Sequence, residues 1–181
     1  MGLIFKKILR EIKFYFRDVF INGIAASNFI PIFIRIPIYK IYGINIKTKL
    51  IRSGCFFGSS RVSIEKGTFI NYNCFFEATN KIKIGKNCAL GMNVTFCNSN
   101  HIYYDPLRRA GAVKSGPIDI GNGCWIGARV IILPNVKIDD GCIIAAGAVV
   151  TKNCEPNGLY AGIPARRIRD LPIKNVIKEV I

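Results

Sequence analysis

Read from Ile120 in steps of six, the chain sets Ile120, Ile126, Ile132, Ile138, Ile144 and Val150 on one register, all β-branched aliphatics. Four residues beyond each lies a small or medium apolar side chain: Cys124, Val130, Val136, Cys142, Ala148 and Cys154. The residue just after each aliphatic is small or polar (Gly121, Gly127, Asp139, Ala145, Thr151), Leu133 being the exception. The same phase runs through Ile64, Ile70 and Phe76, and again through Ile84, Leu90 and Phe96, with Thr68, Cys74, Cys88 and Val94 at the fourth place. Ile51 and Cys55 open it more weakly, and short insertions near Arg61 and Lys81 break the count. An α-helix repeats about every 3.6 residues and a strand about every 2. A period of six fits neither. It fits a triangular solenoid in which each side is one short strand and a corner. The aliphatic fills the interior, the small residue sits where the interior is tight, and Gly, Asn and Asp turn the corners. Each coil buries its apolar face by stacking on its neighbours.

Three stretches leave the repeat, which itself covers 46–155. In residues 1–45, Ile4, Ile8, Leu9, Ile12, Phe16 and Val19 form a helical apolar stripe. Charges at Lys6, Lys7, Arg10, Glu11, Lys13 and Arg17 break any signal-like apolar run. The stretch from Val19 to Ile34 is interrupted by Asn22, Asn28 and Pro31, which argues against a membrane span. Residues 99–117, within NSNHIYYDPLRRAGAVKSGP beginning at Asn98, form a polar loop inserted between coils and carry the one histidine, His101. Long loops inside compact domains are usually functional. The tail, 156–181, reads as a turn followed by a short helix.

Charge narrows the partners. There are 26 Lys plus Arg against 11 Asp plus Glu, a formal +15, which favours polyanions. No zinc finger, RRM signature or recognition-helix pattern accompanies it, so nucleic acid is not expected. Seven cysteines with no CxxC pair argue against a metal site or a disulfide framework and for a reducing, cytoplasmic setting. Six of them fall at the fourth place of the repeat, where a free thiol acts as a small buried hydrophobe. Cys97 is off-phase and close to His101.

The blocks CWIG, AAGAVVTK and AGIPAR, within the stretch from Ile118 to Ile168, resemble hexapeptide-repeat O-acetyltransferases. Maltose, galactoside, nodulation-factor and xenobiotic acetyltransferases belong to that family. The resemblance spans about residues 50–170. It implies an all-β fold, a left-handed parallel β-helix with an N-terminal helical segment, assembled as a homotrimer. Acetyl-CoA would lie in a groove between adjacent subunits, with no metal. His101, in SNH, stands where the family has its general base. Trp125 resembles the tryptophan beside the reaction centre. Ala128, Ala146, Thr151 and Lys152 match positions bordering the CoA arm, and Lys152, Arg166 and Arg169 would meet its phosphates. Asn71 matches the acceptor-side asparagine. The family's acidic acceptor residue falls on Thr79, with Glu77 two residues away as its replacement, so an acceptor other than a simple galactoside or maltoside is implied.

The expected reaction is acetyl transfer from acetyl-CoA to a sugar hydroxyl, on a surface-polysaccharide precursor. N-acetylation of a nucleotide-linked amino sugar or an antibiotic is the alternative within the class, and a non-catalytic assembly β-helix the alternative outside it. A neutral imidazole can take the hydroxyl proton as the C–O bond forms. A backbone carbonyl, Glu77 or Asp105 are the candidates for orienting it. The N-terminal helix either packs on the β-helix or a neighbouring subunit, or rests on an anionic membrane surface.

Overall fold

Residues 2–173 are described by the structure, a computed structural model. The chain opens with helix α1 (Gly2–Phe16), continues in wide π-type turns from Arg17 to Ala25, and forms helix α2 (Ile32–Ile41). From Asn45 onward it winds into a parallel β-helix with three faces. The first face stacks Asn45–Ile46, Val62–Ile64, Ile82–Ile84, Ile118–Ile120 and Lys137–Ile138. The second stacks Leu50–Ile51, Phe69–Ile70, Ala89–Leu90, Trp125–Ile126, Ile143–Ile144 and Gly158–Ala161. The third stacks Phe56–Phe57, Phe75–Phe76, Thr95–Phe96, Ile131–Ile132 and Val149–Val150.

The register explains the period. Ile46, Ile64, Ile84, Ile120 and Ile138 sit one above another, as do Ile51, Ile70, Leu90, Ile126, Ile144 and Tyr160. On the third face the ladder is Phe57, Phe76, Phe96, Ile132 and Val150, with the phenylalanine rings stacked at 4.9 and 4.8 Å. All of these side chains are buried. Burying one such side chain is worth roughly 1.5–3 kcal/mol, so the ladders dominate the core's stabilisation.

The fourth-place cysteines do more than fill space. Cys88, Cys124 and Cys142 donate their thiols to the carbonyls of Gly121, Asp139 and Glu155 in the next coil, at 3.0, 3.1 and 3.1 Å. Cys55 and Cys74 reach Asn71 and Gly91 in the same way, at 3.4 and 3.3 Å. Thr68 donates its hydroxyl to Gly85 at 2.6 Å from the equivalent place. A small donor there satisfies a corner carbonyl that the strands leave unpaired.

The open end of a solenoid needs a cap. Here α2 supplies it. Tyr39 is fully buried and meets Phe57 edge-on at 4.9 Å, continuing the aromatic column. Arg35 is only 5% exposed. It donates to the carbonyls of Ala25, Ile51, Ser27 and Ile30, so a buried cation ties the turns before α2 to the first coil without a carboxylate. At the other end Arg166–Asp170 runs antiparallel to Gly158–Ala161 and closes the second face. The described part of the tail is therefore a hairpin, and the short helix expected at its end falls on residues 174–181, outside the described residues.

Candidate active site

The inserted loop is a β-hairpin. Ser99–His101 pairs antiparallel with Val113–Ser115, and His101 stands opposite Val113. The hairpin leaves the third face after Phe96 and rejoins the first at Ile118, so it projects from the corner between them.

Its root is pinned by two side chains. Asn98 is fully buried: its Oδ1 accepts from the Thr79 N–H at 3.1 Å and its Nδ2 donates to the Asn80 carbonyl at 2.7 Å. Glu77 accepts the Ser99 N–H at 3.0 Å, and the Ser99 hydroxyl donates to its other oxygen. Glu77 was expected on the acceptor. Within the chain its carboxylate acts as a strut beneath the histidine's strand.

His101 is exposed at the outer end of that strand. Its Nδ1 lies 2.8 Å from the Gly111 carbonyl oxygen. A carbonyl can only accept, so the proton of the neutral imidazole resides on Nδ1 and the lone pair on Nε2. Of the three candidates for orienting the ring, the structure selects the backbone carbonyl. The Asn100 side chain accepts the His101 N–H at 2.8 Å, and Gly111 is itself held by the Ile102 carbonyl at 3.0 Å. A Cβ on Gly111 would lie 2.6 Å from that same oxygen, closer than side chains tolerate, so this position requires glycine.

His101 opens onto a cavity of about 380 Å³ that it shares with Thr151, Leu133, Asn135, Lys114 and Tyr104. Lys152 and Arg166 line a neighbouring depression of about 220 Å³. Arg169 lies on the outer strand opposite Leu159. Arg167, between them, is committed to Asp170, Tyr160 and the Glu155 carbonyl.

The other expected residues lie elsewhere on the prism. Trp125 faces outward on the second face, 57% exposed, between Ala89 and Ile143. Ala128 and Ala146 mark the corner between the second and third faces, where Gly147 donates to the Ala128 carbonyl at 2.8 Å. Asn71 begins the same corner in an earlier coil, its side chain accepting the Tyr72 N–H at 2.9 Å. One chain thus brings Thr151 to His101 and sets Lys152 with Arg166. It leaves Asn71, Trp125, Ala128 and Ala146 on a different edge.

Cys97 lies beside Glu77 at the root of the hairpin. Burial and the adjacent Glu77 carboxylate push its thiol above the ordinary range, which suppresses the reactive thiolate. Gly111 and Asn98 were not singled out in the sequence, although both fall in or beside the loop. Among the described residues, no group of three or more His, Cys, Asp or Glu is placed to hold a metal.

Comparison with known proteins agrees with this architecture. Residues 117–152 match the family described as bacterial transferase hexapeptide (six repeats), and residues 61–96 the hexapeptide repeat of succinyl-transferase. Galactoside O-acetyltransferase of Escherichia coli K12 is 38% identical over 112 residues, covering 62% of this chain and 55% of that protein. The chain spans about half the length of the first curated relatives it matches. The crystal structure of a maltose O-acetyltransferase from Clostridium difficile 630 superimposes with a TM-score of 0.67 at 31% identity, covering 84% of this chain and 81% of that one. A galactoside acetyltransferase in complex with coenzyme A gives 0.68 at 30% identity, covering 92% and 82%. With its stacked hexad ladders and histidine hairpin, the chain belongs to the hexapeptide-repeat acetyltransferase family.

Proposed function

We propose that this protein transfers an acetyl group from acetyl-CoA to a hydroxyl of a sugar, with His101 as the general base. The observation that carries the reading is the Nδ1 contact to the Gly111 carbonyl, which leaves Nε2 as the basic nitrogen. Nε2 removes the proton of the acceptor hydroxyl while its oxygen attacks the thioester carbonyl. The tetrahedral intermediate collapses, the C–S bond breaks, and the CoA thiolate takes the proton back from the imidazolium. A base so placed typically contributes ~10²–10⁴-fold. Lys152 and Arg166, side by side in their depression, and Arg169 on the outer strand supply positive charge for the CoA phosphates.

The working unit in this reading is a homotrimer. Its support is the division of the candidate residues between two edges of one chain, which adjoining copies can bring together. The hairpin tip also leaves Tyr104 and Leu107 exposed, the latter at 96%, as a contact for a second copy. The acceptor is a glycan precursor in the cytoplasm. Helix α1 mixes exposed Ile4, Phe5, Ile8 and Ile12 with Lys6, Lys7 and Arg10, a composition suited to the surface of an anionic membrane. No helix among the described residues is long and apolar enough to cross one.

The deciding experiment is acetyl-CoA turnover, followed by thiol release, against a panel of sugars, nucleotide sugars and aminoglycoside antibiotics. Turnover on a sugar hydroxyl that collapses in His101→Ala, with acetyl-CoA binding retained, supports the reading. Near wild-type turnover in that variant would remove His101 from the mechanism. A protein that binds no acetyl-CoA at all would favour an assembly role.

A further inference from the structure

A second cavity, about 580 Å³, lies between α1 and the third face, away from the His101 cavity. That volume is within the range of small-molecule sites, roughly 300–1,000 Å³. Its lining combines two chemistries. Arg10, Lys13, Phe14 and Arg17 come from one stripe of the N-terminal helical segment, at helical spacing. Arg61 faces them from the solenoid. The floor is aromatic: Phe56 and Phe75 stack in parallel at 4.5 Å on the outer side of the third face, and Tyr42 adjoins them.

The charges in this groove do not cancel. Arg17 is spent within the protein, on Asp18 at 2.8 Å and the Gly58 carbonyl at 2.7 Å. Arg61 gives one nitrogen to the Thr79 carbonyl. Among the described residues neither Lys13 nor Arg61 has an acidic side chain within ion-pair distance, and Arg10 reaches only its neighbour Glu11, at 3.6 Å across exposed surface. Glu77, the one acid in the lining, is taken up by Ser99. Three cations therefore border an aromatic floor without acidic partners inside the groove.

We propose that this groove binds the acceptor, and that the acceptor is a sugar bearing a phosphoryl or pyrophosphoryl group. The stacked pair turns its ring edges to the groove, an apolar strip against which the C–H groups of a sugar ring can pack. Arg10, Lys13 and Arg61 offer charge-assisted hydrogen bonds to phosphate oxygens. The groove reaches the base of the hairpin that carries His101. Glu77, Ala78 and Thr79 form one of its walls, and Glu77 and Thr79 bind Ser99 and Asn98 at the root of the hairpin that carries His101. A sugar seated on the Phe56–Phe75 floor lies next to that root. The link to acetyl transfer rests on the reading of His101 above, whereas the binding of the anion does not.

Titration calorimetry in the presence of saturating CoA, so that its phosphates occupy their own site, tests the proposal. The probes are hexose 1-phosphates, the matching methyl hexosides, a uridine diphosphate hexose and a short-chain prenyl pyrophosphoryl hexose. Phosphorylated sugars should bind at least about tenfold more tightly than the matching methyl hexosides, and less tightly in high salt. Lys13→Ala and Arg10→Ala should each cost up to about tenfold for the phosphorylated ligands and nothing for CoA. Phe75→Ala should weaken phosphorylated and neutral sugars alike. Preference for the uridine or the prenyl compound identifies the source of the pyrophosphate, and either supports the proposal. Equal affinity for methyl hexosides, or an Arg10→Ala/Lys13→Ala double variant that binds hexose phosphates like the wild type, overturns it. Thiol release measured in parallel separates the two readings. Turnover on neutral sugars alone would leave the acetyltransferase standing and the anionic acceptor refuted, while phosphate-sugar binding with no thiol release on any acceptor would do the reverse.

Discussion

Gly111 is the most direct handle on the proposed base, because it touches His101 only through its backbone. Replacing it by alanine places a Cβ 2.6 Å from the Ile102 carbonyl oxygen. An ordinary carbon–oxygen contact needs about 3.4 Å or more, so the two strands of the hairpin must part by most of an ångström. The Gly111 carbonyl moves with them. Its bond to His101 Nδ1, 2.8 Å in the native protein, then stretches beyond hydrogen-bonding distance or breaks. The imidazole loses both its tautomer bias and its aim. Misplacement of a reacting group by about 1 Å can cost ~10²-fold. Gly111→Ala should accordingly lower kcat by about 10–100-fold, with the acetyl-CoA KM little changed. The hairpin carries little of the core, so thermal stability should stay close to the wild type. A double-mutant cycle sharpens the test: in a His101→Ala background, Gly111→Ala should cost almost nothing more. If the two losses multiply, Gly111 acts through something other than His101, and the carbonyl is not what orients the base.

Other outcomes follow from the same geometry. Arg35→Ala removes a buried guanidinium from four carbonyls, so chemical denaturation should show a loss of about 2–5 kcal/mol; a loss under ~0.5 kcal/mol would mean that α2 does not cap the solenoid. Lys152→Ala should raise the acetyl-CoA KM about tenfold, and by less with acetyl-pantetheine, which lacks the nucleotide phosphates; equal effects on both donors would exclude a phosphate contact. Cys97→Ser should keep most of its activity, and mass spectrometry should find Cys97 slow to alkylate at neutral pH, since its thiol is held above the ordinary range.

The core was legible because its physics repeats. Ile120 and Ile138 differ by three hexads and stack directly, so counting in sixes amounts to tracing one ladder. The steps from Ile46 to Ile64 and from Ile64 to Ile84 are unequal, yet the register still pairs them, since the extra residues go into a corner. The cap was far less visible. Arg35 reads in sequence as a charge interrupting an apolar run, and its burial is intelligible only once four carbonyls converge on it. The fourth-place cysteines looked like spacers, because a thiol's role as donor depends on a carbonyl in another coil. The histidine itself stood out through its isolation and its family setting. Its orienting partner did not, because every residue has a carbonyl and only the hairpin register selects that of Gly111.

A single copy leaves much of the outer surface apolar. Leu50, Trp125 and Ile131 are exposed on the second and third faces, and Tyr104 and Leu107 on the hairpin tip. Inward positions of a solenoid are set by stacking alone, so nothing about the fold asks outward positions to be apolar. A partner does. If the trimer forms by laying one copy's hairpin across its neighbour's outer faces, the same contact shields these side chains and carries His101 toward the edge that holds Asn71, Trp125, Ala128 and Ala146. Light scattering should then give about three times the 20.2 kDa chain mass. Leu107→Lys, at the exposed tip, should shift the protein toward monomers and lower turnover in proportion, with the hexad core still folded by circular dichroism. A Leu107→Lys monomer with full activity would show that one chain holds a complete site, and the two edges would then need a different explanation.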